Sequence, residues 1–172
     1  MRRFLPLAMM FAIASSPGLA GEGPAVLTEP NEPGDPLHVE GTVYAPDGKT
    51  PAPGVTVYVY HTDAEGVYSE TNDNRNPRIK ATLITDPRGR YEFRTIRPAP
   101  YPGGGVPAHI HYVLKGGGYA EQRRDLYFEG DPALSGGMID RSKAAGKFGS
   151  VRPVARGEDG VLHCTFDLRF DE

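Results

Sequence analysis

The feature that most constrains the fold is a strict two-residue alternation near the C-terminus. Leu162, Cys164, Phe166, Leu168 and Phe170 alternate with polar or charged residues. Side chains of a β-strand point alternately to opposite faces, so the segment predicts a strand with one buried face. Cys164 is the only cysteine of the chain and falls on that face. We therefore expect it to be a small buried hydrophobe, and no disulfide can form within the chain.

Similar short segments recur along the chain and are separated by turn-forming residues. The turns come from a high content of glycine and proline, 22 and 17 of 172 residues. Only residues 138–145 suggest a short helix. The pattern predicts an all-β fold, an antiparallel β-sandwich of about seven to eight strands with few short helices. The strand segments are 38–44, 55–60, 79–85, 90–96, 108–114, 123–128 and 162–170.

The N-terminal segment has the composition of a targeting sequence. Arg2 and Arg3 precede an apolar run at 4–14, and a small-residue cleavage site ends at Ala20. The run is shorter than the ~20 residues that span a bilayer. We therefore expect residues 1–20 to be a signal peptide and the mature protein to be exported, periplasmic or secreted.

The rest of the chain divides into an arm and one domain. Residues 21–37 contain four prolines and little periodicity, and we expect an extended arm there. Residues 38–172 then form a single β-sandwich domain. The formal net charge is −3, which argues against nucleic acid as a partner. No cysteine follows the apolar run, so we expect no lipid anchor.

The motif most suggestive of chemistry is His109-Ile110-His111. In a strand these two histidines share a face, and two neighbouring imidazoles can bind a metal ion. A bare pair of this kind also occurs on exposed edge strands. Tyr101 lies a few residues upstream between two prolines, which hold it in a restricted loop close enough to reach the same site. Tyr68 ends an earlier strand-like segment and is unremarkable when considered alone.

Taken together, five ordered sequence blocks resemble the intradiol ring-cleavage dioxygenases, the family of protocatechuate 3,4-dioxygenase and catechol 1,2-dioxygenase. The resemblance extends over roughly residues 38–132, and five blocks in the same order form a specific pattern. The blocks are VYHTDAEGVY at 59–68, TDPRGRYEFRTIRP at 85–98, PYP at 100–102, PAHIH at 107–111 and YFEGDP at 127–132.

The resemblance implies a mononuclear non-haem Fe(III) held by Tyr68, Tyr101, His109 and His111. It also implies an oxidoreductase that uses O2 to cleave a catechol-type ring between its two hydroxylated carbons, which gives a muconate-type diacid. In the family, the tyrosine of the Pro-Tyr-Pro block leaves the metal when the catechol binds. That catalytic role falls to Tyr101 here.

The sequence departs from the family pattern at several positions. Val106 occupies the position where the family usually has an arginine beside the substrate, and residues 103–105 form a short glycine link that predicts a more open pocket. His61 and Asp125 stand where the family often has glutamine, and the sequence assigns neither a role. Four arginines could substitute for the missing one, namely Arg78, Arg97, Arg123 and Arg124.

Two alternatives remain open from the sequence. Residues 38–96 also resemble transthyretin-like and carboxypeptidase-regulatory domains, which would make the chain an exported binding module without iron. His109 and His111 could also form a periplasmic copper or zinc site without the tyrosines. The sequence leaves open which catechol is the substrate and whether the chain forms a homo-oligomer.

Overall fold

A computed structural model describes residues 23–172, which form two β-sheets packed face to face. The predicted signal peptide at 1–20 lies outside the described residues. The first sheet contains β1 (Ala25–Val26), β2 (Pro36–Tyr44), β5 (Arg90–Ile96), β9 (Ala155–Arg156), β10 (Leu162–Thr165) and β11 (Leu168–Arg169). The second sheet contains β3 (Thr56–His61), β4 (Ile79–Ile84), β6 (His109–Gly116), β7 (Tyr119–Phe128) and β8 (Val151–Arg152).

The all-β prediction is confirmed, but the sheets are mixed rather than antiparallel. The strand order is β1-β5-β2-β10-β9 in the first sheet, where β11 also pairs with β2, and β4-β3-β6-β7-β8 in the second. Four pairings are parallel, namely β1–β5, β2–β10, β2–β11 and β7–β8. The described residues form eleven strands instead of seven or eight. The additional strands have two residues each, which is too short to show an alternating pattern.

The C-terminal segment keeps its alternation although it is not one continuous strand. It divides into β10 and β11, and both strands pair with β2. Its five alternating apolar residues are all buried, Cys164 among them. The burial prediction is therefore confirmed, because hydrophobic contact with the core, rather than uninterrupted pairing, keeps the period of two.

The core lies between the inner faces of the two sheets. Val39 and Phe93 from the first sheet and Val57, Ile110 and Leu126 from the second are fully buried. All five belong to one hydrophobic cluster. Burial of Ile110 directs its neighbours His109 and His111 to the opposite, outer face of the second sheet.

The described residues contain a single α-helix, α1 (Gly136–Ala145), so the helix predicted at 138–145 is confirmed. It begins earlier than expected because the Ser135 side chain caps it by accepting a hydrogen bond from the Met138 backbone N–H. Within residues 23–172, no helix has the length and hydropathy needed to cross a membrane.

Candidate metal centre

Four side chains from three separate parts of the chain converge at the start of β6. The Tyr68 hydroxyl contacts the Tyr101 hydroxyl and lies 2.8 Å from His111 Nε2. The Tyr101 hydroxyl is 3.1 Å from His109 Nε2 and 3.4 Å from His111 Nε2. The two Nε2 atoms are 3.1 Å apart. The structure thus brings together all four residues that the sequence singled out, and we call them the Tyr2His2 cluster.

The orientation of the two imidazoles makes the cluster suitable for a cation. His109 Nδ1 is 2.7 Å from the Pro107 carbonyl oxygen, and His111 Nδ1 is 2.7 Å from Asp125 Oδ1. A carbonyl or carboxylate oxygen only accepts hydrogen bonds, so each Nδ1 carries the hydrogen. In its neutral form, each ring therefore directs the lone pair of Nε2 into the cluster. Two such lone pairs at this spacing can bind one cation together, because the neutral imidazole nitrogen is a common metal ligand.

The spacing of the donor atoms also fits a bound metal. First-row ions bind imidazole nitrogen at about 2.0–2.1 Å, which places neighbouring ligands roughly 3 Å apart. Within residues 23–172, no group of three or more His, Cys, Asp or Glu side chains could hold a metal. The side-chain oxygens that approach the two Nε2 atoms are the Tyr68 and Tyr101 hydroxyls.

Asp125 has a supporting role that sequence reasoning missed. Its carboxylate accepts hydrogen bonds from His111 Nδ1 and, at 3.3 Å, from the Tyr127 hydroxyl. Burial alone would raise the pKa of Asp125, but the hydrogen bond from His111 and the nearby imidazoles lower it, and the net direction is downward. An ionised carboxylate behind a metal-facing imidazole fixes the ring and raises its basicity. The feature that points to this role is the strand register, which places Asp125 directly opposite His111 in the β6–β7 pair.

The loop that carries Tyr68 is ordered by its own hydrogen bonds. The Asp63 carboxylate accepts from the backbone N–H groups of Glu65 and Val67. Gly66 adopts a positive φ of 82°, and a Cβ built on it would lie 2.1 Å from the Pro100 carbonyl oxygen. Only glycine allows this approach, and the approach brings the Tyr68 loop against the residue that precedes Tyr101.

The Tyr101 loop is attached at one end and open at the other. The Thr62 hydroxyl donates to the Ala99 carbonyl oxygen at 2.8 Å, and the Ala99 N–H donates to the Asp63 carbonyl oxygen at 3.0 Å. Beyond Tyr101, the glycines at 103–105 all have positive φ. A Cβ built on any of them would meet nothing within 4 Å. The link itself is therefore exposed, with no other described part of the chain packed against it.

The two tyrosines differ in burial. Tyr68 is 5% exposed, whereas Tyr101 is half-buried. Burial and the hydrogen bond with Tyr101 raise the pKa of Tyr68 far above its ordinary value of 10. Burial lowers the pKa of His109, which keeps its imidazole neutral. In the metal-free protein, Tyr68 therefore keeps its proton, and only a strongly bound cation would remove it.

His61 lies outside the cluster and has a structural role. The ring is fully buried, its Nδ1 donates to the Thr62 carbonyl oxygen at 2.6 Å, and its Nε2 accepts from the Thr95 hydroxyl at 2.7 Å. Burial lowers its pKa to about 4. The neutral ring thus joins the end of β3 to β5.

No hydrogen bond or ion pair within residues 23–172 joins the four candidate arginines to the cluster. Val106 itself is exposed on the loop between Tyr101 and β6. Arg123 is 73% exposed on the outer face of β7 and approaches Glu121 at 3.7 Å. The other three are engaged elsewhere: Arg78 pairs with Glu32, Arg97 lies over the ring of Phe128, and Arg124 pairs with Asp171.

Comparison with known proteins identifies the family. The family model described as Dioxygenase matches residues 16–172. The chain belongs to the intradiol dioxygenase family. Catechol 1,2-dioxygenase of Acinetobacter baylyi is 32% identical over 124 residues, which cover 61% of this chain and 39% of the relative. Chlorocatechol 1,2-dioxygenase of Rhodococcus opacus is 31% identical, and its match covers 90% of this chain and 66% of the relative. This chain thus spans about two fifths of the length of the first relative and about two thirds of the second.

Solved structures show the same fold. The dioxygenase domain of a dioxygenase–carbohydrate-binding protein fusion from Streptomyces sp. SirexAA-E has a TM-score of 0.66 and 26% identity. The match covers 92% of this chain and 95% of that domain. Catechol 1,2-dioxygenase from Acinetobacter sp. ADP1 has a TM-score of 0.68 and 25% identity, over 87% of this chain and 57% of that one. The family match includes the Tyr2His2 cluster, which the binding-module alternative does not explain.

Proposed function

We propose that this protein is a mononuclear, non-haem Fe(III) intradiol dioxygenase in which Tyr68, Tyr101, His109 and His111 hold the iron. The observation that carries the proposal is the convergence of two phenol oxygens and two imidazole lone pairs on one point. Phenolates are hard anionic ligands and favour a ferric ion over softer or less charged metals. A copper or zinc site made of the two histidines alone would not account for the two phenol oxygens that contact the imidazoles.

The reaction proposed is cleavage of a catechol-type ring by O2. The bond between the two hydroxyl-bearing carbons breaks, and each of these carbons gains one oxygen atom from O2, which produces two carboxylates. The catechol is oxidised by four electrons, O2 is reduced, and two protons are released, so no other reductant is needed. When bound, the ferric ion supplies Lewis acidity, which draws electron density from the two catechol oxygens.

The two tyrosines have different roles in this proposal. Tyr68 is buried and joined to His111, so it remains a permanent ligand. Tyr101 is half-buried and belongs to a loop whose continuation is open to solvent. With iron bound, Tyr101 would be a phenolate; its oxygen would accept a proton from the incoming catechol and, as a neutral phenol, would move away and make room for the second catechol oxygen. Asp125 holds the His111 ring in place throughout.

The substrate class follows from the chemistry of the site and from its relatives. Similar proteins are named for catechol, chlorocatechol and hydroxyquinol, all of which carry two adjacent hydroxyl groups. Two adjacent oxygens bind one metal together, which positions the bond to be cleaved. We propose a catechol-type substrate with O2 as co-substrate, and a site open enough for a substituted ring.

We also propose that the protein acts outside the cytoplasm. The proposal rests on the composition of residues 1–20, with its basic start, short apolar run and small-residue site at Ala20. Expression of the full chain in a Gram-negative host, followed by N-terminal sequencing of the periplasmic product, tests it. A mature N-terminus at Gly21 is expected, and an uncleaved cytoplasmic product would contradict the proposal.

The decisive experiment is a visible absorption spectrum of the iron-reconstituted protein, recorded before and after anaerobic addition of catechol. We expect a broad tyrosinate-to-Fe(III) band that shifts when catechol binds, followed by formation of a muconate-type diacid when O2 is admitted. Tyr68→Phe and Tyr101→Phe should each shift or remove the band. Tyr119→Phe, in which an exposed phenol distant from the cluster is lost, is the matched control and should keep it.

Two other results would contradict the iron assignment. A colourless protein after ferric reconstitution would overturn the iron assignment and favour the binding module. Metal retention and colour that both tyrosine variants leave unchanged would favour the copper or zinc alternative.

A further inference from the structure

A row of aromatic rings leads away from the Tyr2His2 cluster along the outer face of the second sheet. The Tyr60 ring stacks on His111, with 4.6 Å between centroids and 27° between planes. The Tyr58 ring stacks on Tyr60 at 5.4 Å and 29°. Both tyrosines belong to β3, and both are only half-buried. The row therefore presents aromatic surface to solvent, starting at a proposed metal ligand.

Tyr58 and Tyr60 border a groove of about 500 Å³. Strand register places Tyr58 between Thr82 of β4 and Val113 of β6. Thr56 precedes Tyr58 on the same face. These three neighbours are small, so they leave room beside the tyrosine rings. The groove is thus wide enough for an aromatic ring and has aromatic walls suited to stacking.

The rim of the groove favours an anion. It contains three cationic side chains, Arg75, Lys115 and Arg123, and one carboxylate, Glu121. Lys115 is paired with Glu121 at 2.9 Å. Arg75 is 92% exposed, with Asp73 no closer than 4.0 Å, so its guanidinium is available to a ligand. Arginine at such a rim recognises carboxylates and also contacts aromatic faces.

We propose that this groove binds a second aromatic ring, bearing a carboxylate, of a substrate whose catechol ring occupies the iron site. The inference rests on the proposed function and specifies its substrate class, namely a catechol joined to a carboxylated arene. Two ring-to-ring steps of 4.6 and 5.4 Å connect His111 to Tyr58, which a biaryl can span.

A binding experiment tests the groove without iron. Biphenyl-4-carboxylate, which has no catechol, is titrated into the metal-free protein and followed by NMR chemical shifts and calorimetry. We expect saturable binding that Tyr58→Ala weakens about fivefold and Tyr58→Phe retains, because stacking needs the ring and not the hydroxyl. Arg75→Gln should weaken the binding of biphenyl-4-carboxylate and leave that of unsubstituted biphenyl unaffected. Tyr119→Ala, an exposed tyrosine outside the groove, is the matched control.

A turnover experiment then connects the groove to the iron site. The kcat/KM for 3′,4′-dihydroxybiphenyl-4-carboxylate is divided by that for 4-methylcatechol, which has no second ring. We expect this ratio to fall about fivefold in Tyr58→Ala and to stay within twofold in Tyr58→Phe and Tyr119→Ala. Thermal unfolding of each variant verifies that the fold is intact, and Tyr58→Leu replaces the alanine variant if that one unfolds.

The outcomes separate the two proposals. Cleavage of 4-methylcatechol together with a ratio and a biphenyl-4-carboxylate affinity that do not depend on Tyr58 would overturn the groove assignment. Tyr58-dependent binding in a protein that cleaves neither catechol would support the groove and overturn the dioxygenase function.

Discussion

At the scale of single residues, the chemistry of the cluster depends on which nitrogen of each imidazole carries hydrogen. Pro107 and Asp125 each accept from an Nδ1, and this leaves both Nε2 atoms as lone-pair donors. The histidines could be predicted from their spacing in the sequence. Their tautomers could not, because the acceptor for His111 comes from the neighbouring strand.

Asp125→Asn should weaken metal binding by about 10- to 100-fold, since an amide oxygen is a poorer acceptor for His111 Nδ1–H and carries no charge. Competition with a chelator of known affinity measures the loss. Asp171→Asn removes an exposed carboxylate that pairs with Arg124, and it serves as the control. Equal affinities in the two variants would show that Asp125 does not support the cluster.

At the scale of elements, the site forms because two loops contact each other beside the start of β6. Gly66 of the Tyr68 loop approaches the carbonyl oxygen of Pro100 too closely for any side chain. Each loop contributes one phenol, so their relative position sets the distance between the two tyrosine oxygens. The sequence identified Gly66 as part of a motif, whereas its contact with Pro100 became visible only in the folded chain.

Gly66→Ala should therefore separate the Tyr68 and Tyr101 loops and reduce metal affinity at least tenfold. Backbone strain at this position should also lower the free energy of unfolding by about 1–3 kcal/mol. Gly54→Ala is a matched control, because Gly54 also has a positive φ but a Cβ there would contact nothing within 4 Å. It should lose stability and keep its metal affinity. Both properties are measured by denaturant unfolding and chelator competition.

At the scale of the whole molecule, the pH dependence of folding should reveal the buried His61. Its pKa is about 4 in the folded chain and near 6.5 when unfolded. Between these values the unfolded chain binds a proton that the folded chain does not. The neutral His61 ring therefore contributes its full stabilisation above pH 6.5. This contribution, about 3 kcal/mol in the free energy of unfolding, is lost as the pH falls toward 4.

This effect is measured as the difference between wild type and His61→Gln in urea unfolding at pH 7 and pH 4.5. Glutamine does not titrate, and the acidic groups common to both proteins cancel. We expect the wild-type protein to lose about 2–3 kcal/mol more than the variant over this range. Equal losses would mean that His61 is not kept neutral by burial.

Local sequence determined which residues face the core, and it singled out His109 and His111 as candidate metal ligands. Alternation between neighbouring residues along the chain shows which face of a strand is buried, and the C-terminal segment kept that pattern even where it divides into β10 and β11. The spacing of His109 and His111 likewise placed both on one face. These properties depend on residues close together in the chain, so they can be derived from the sequence.

Only the tertiary structure decided how the strands pair and what the pairing brings together. The parallel strands, the Asp125 carboxylate behind His111 and the groove beside Tyr58 all depend on register between segments far apart in the sequence. Register arises from the burial of both sheets together and from the contact of distant loops. No local pattern encodes it, because the free energy that selects it belongs to the assembled core.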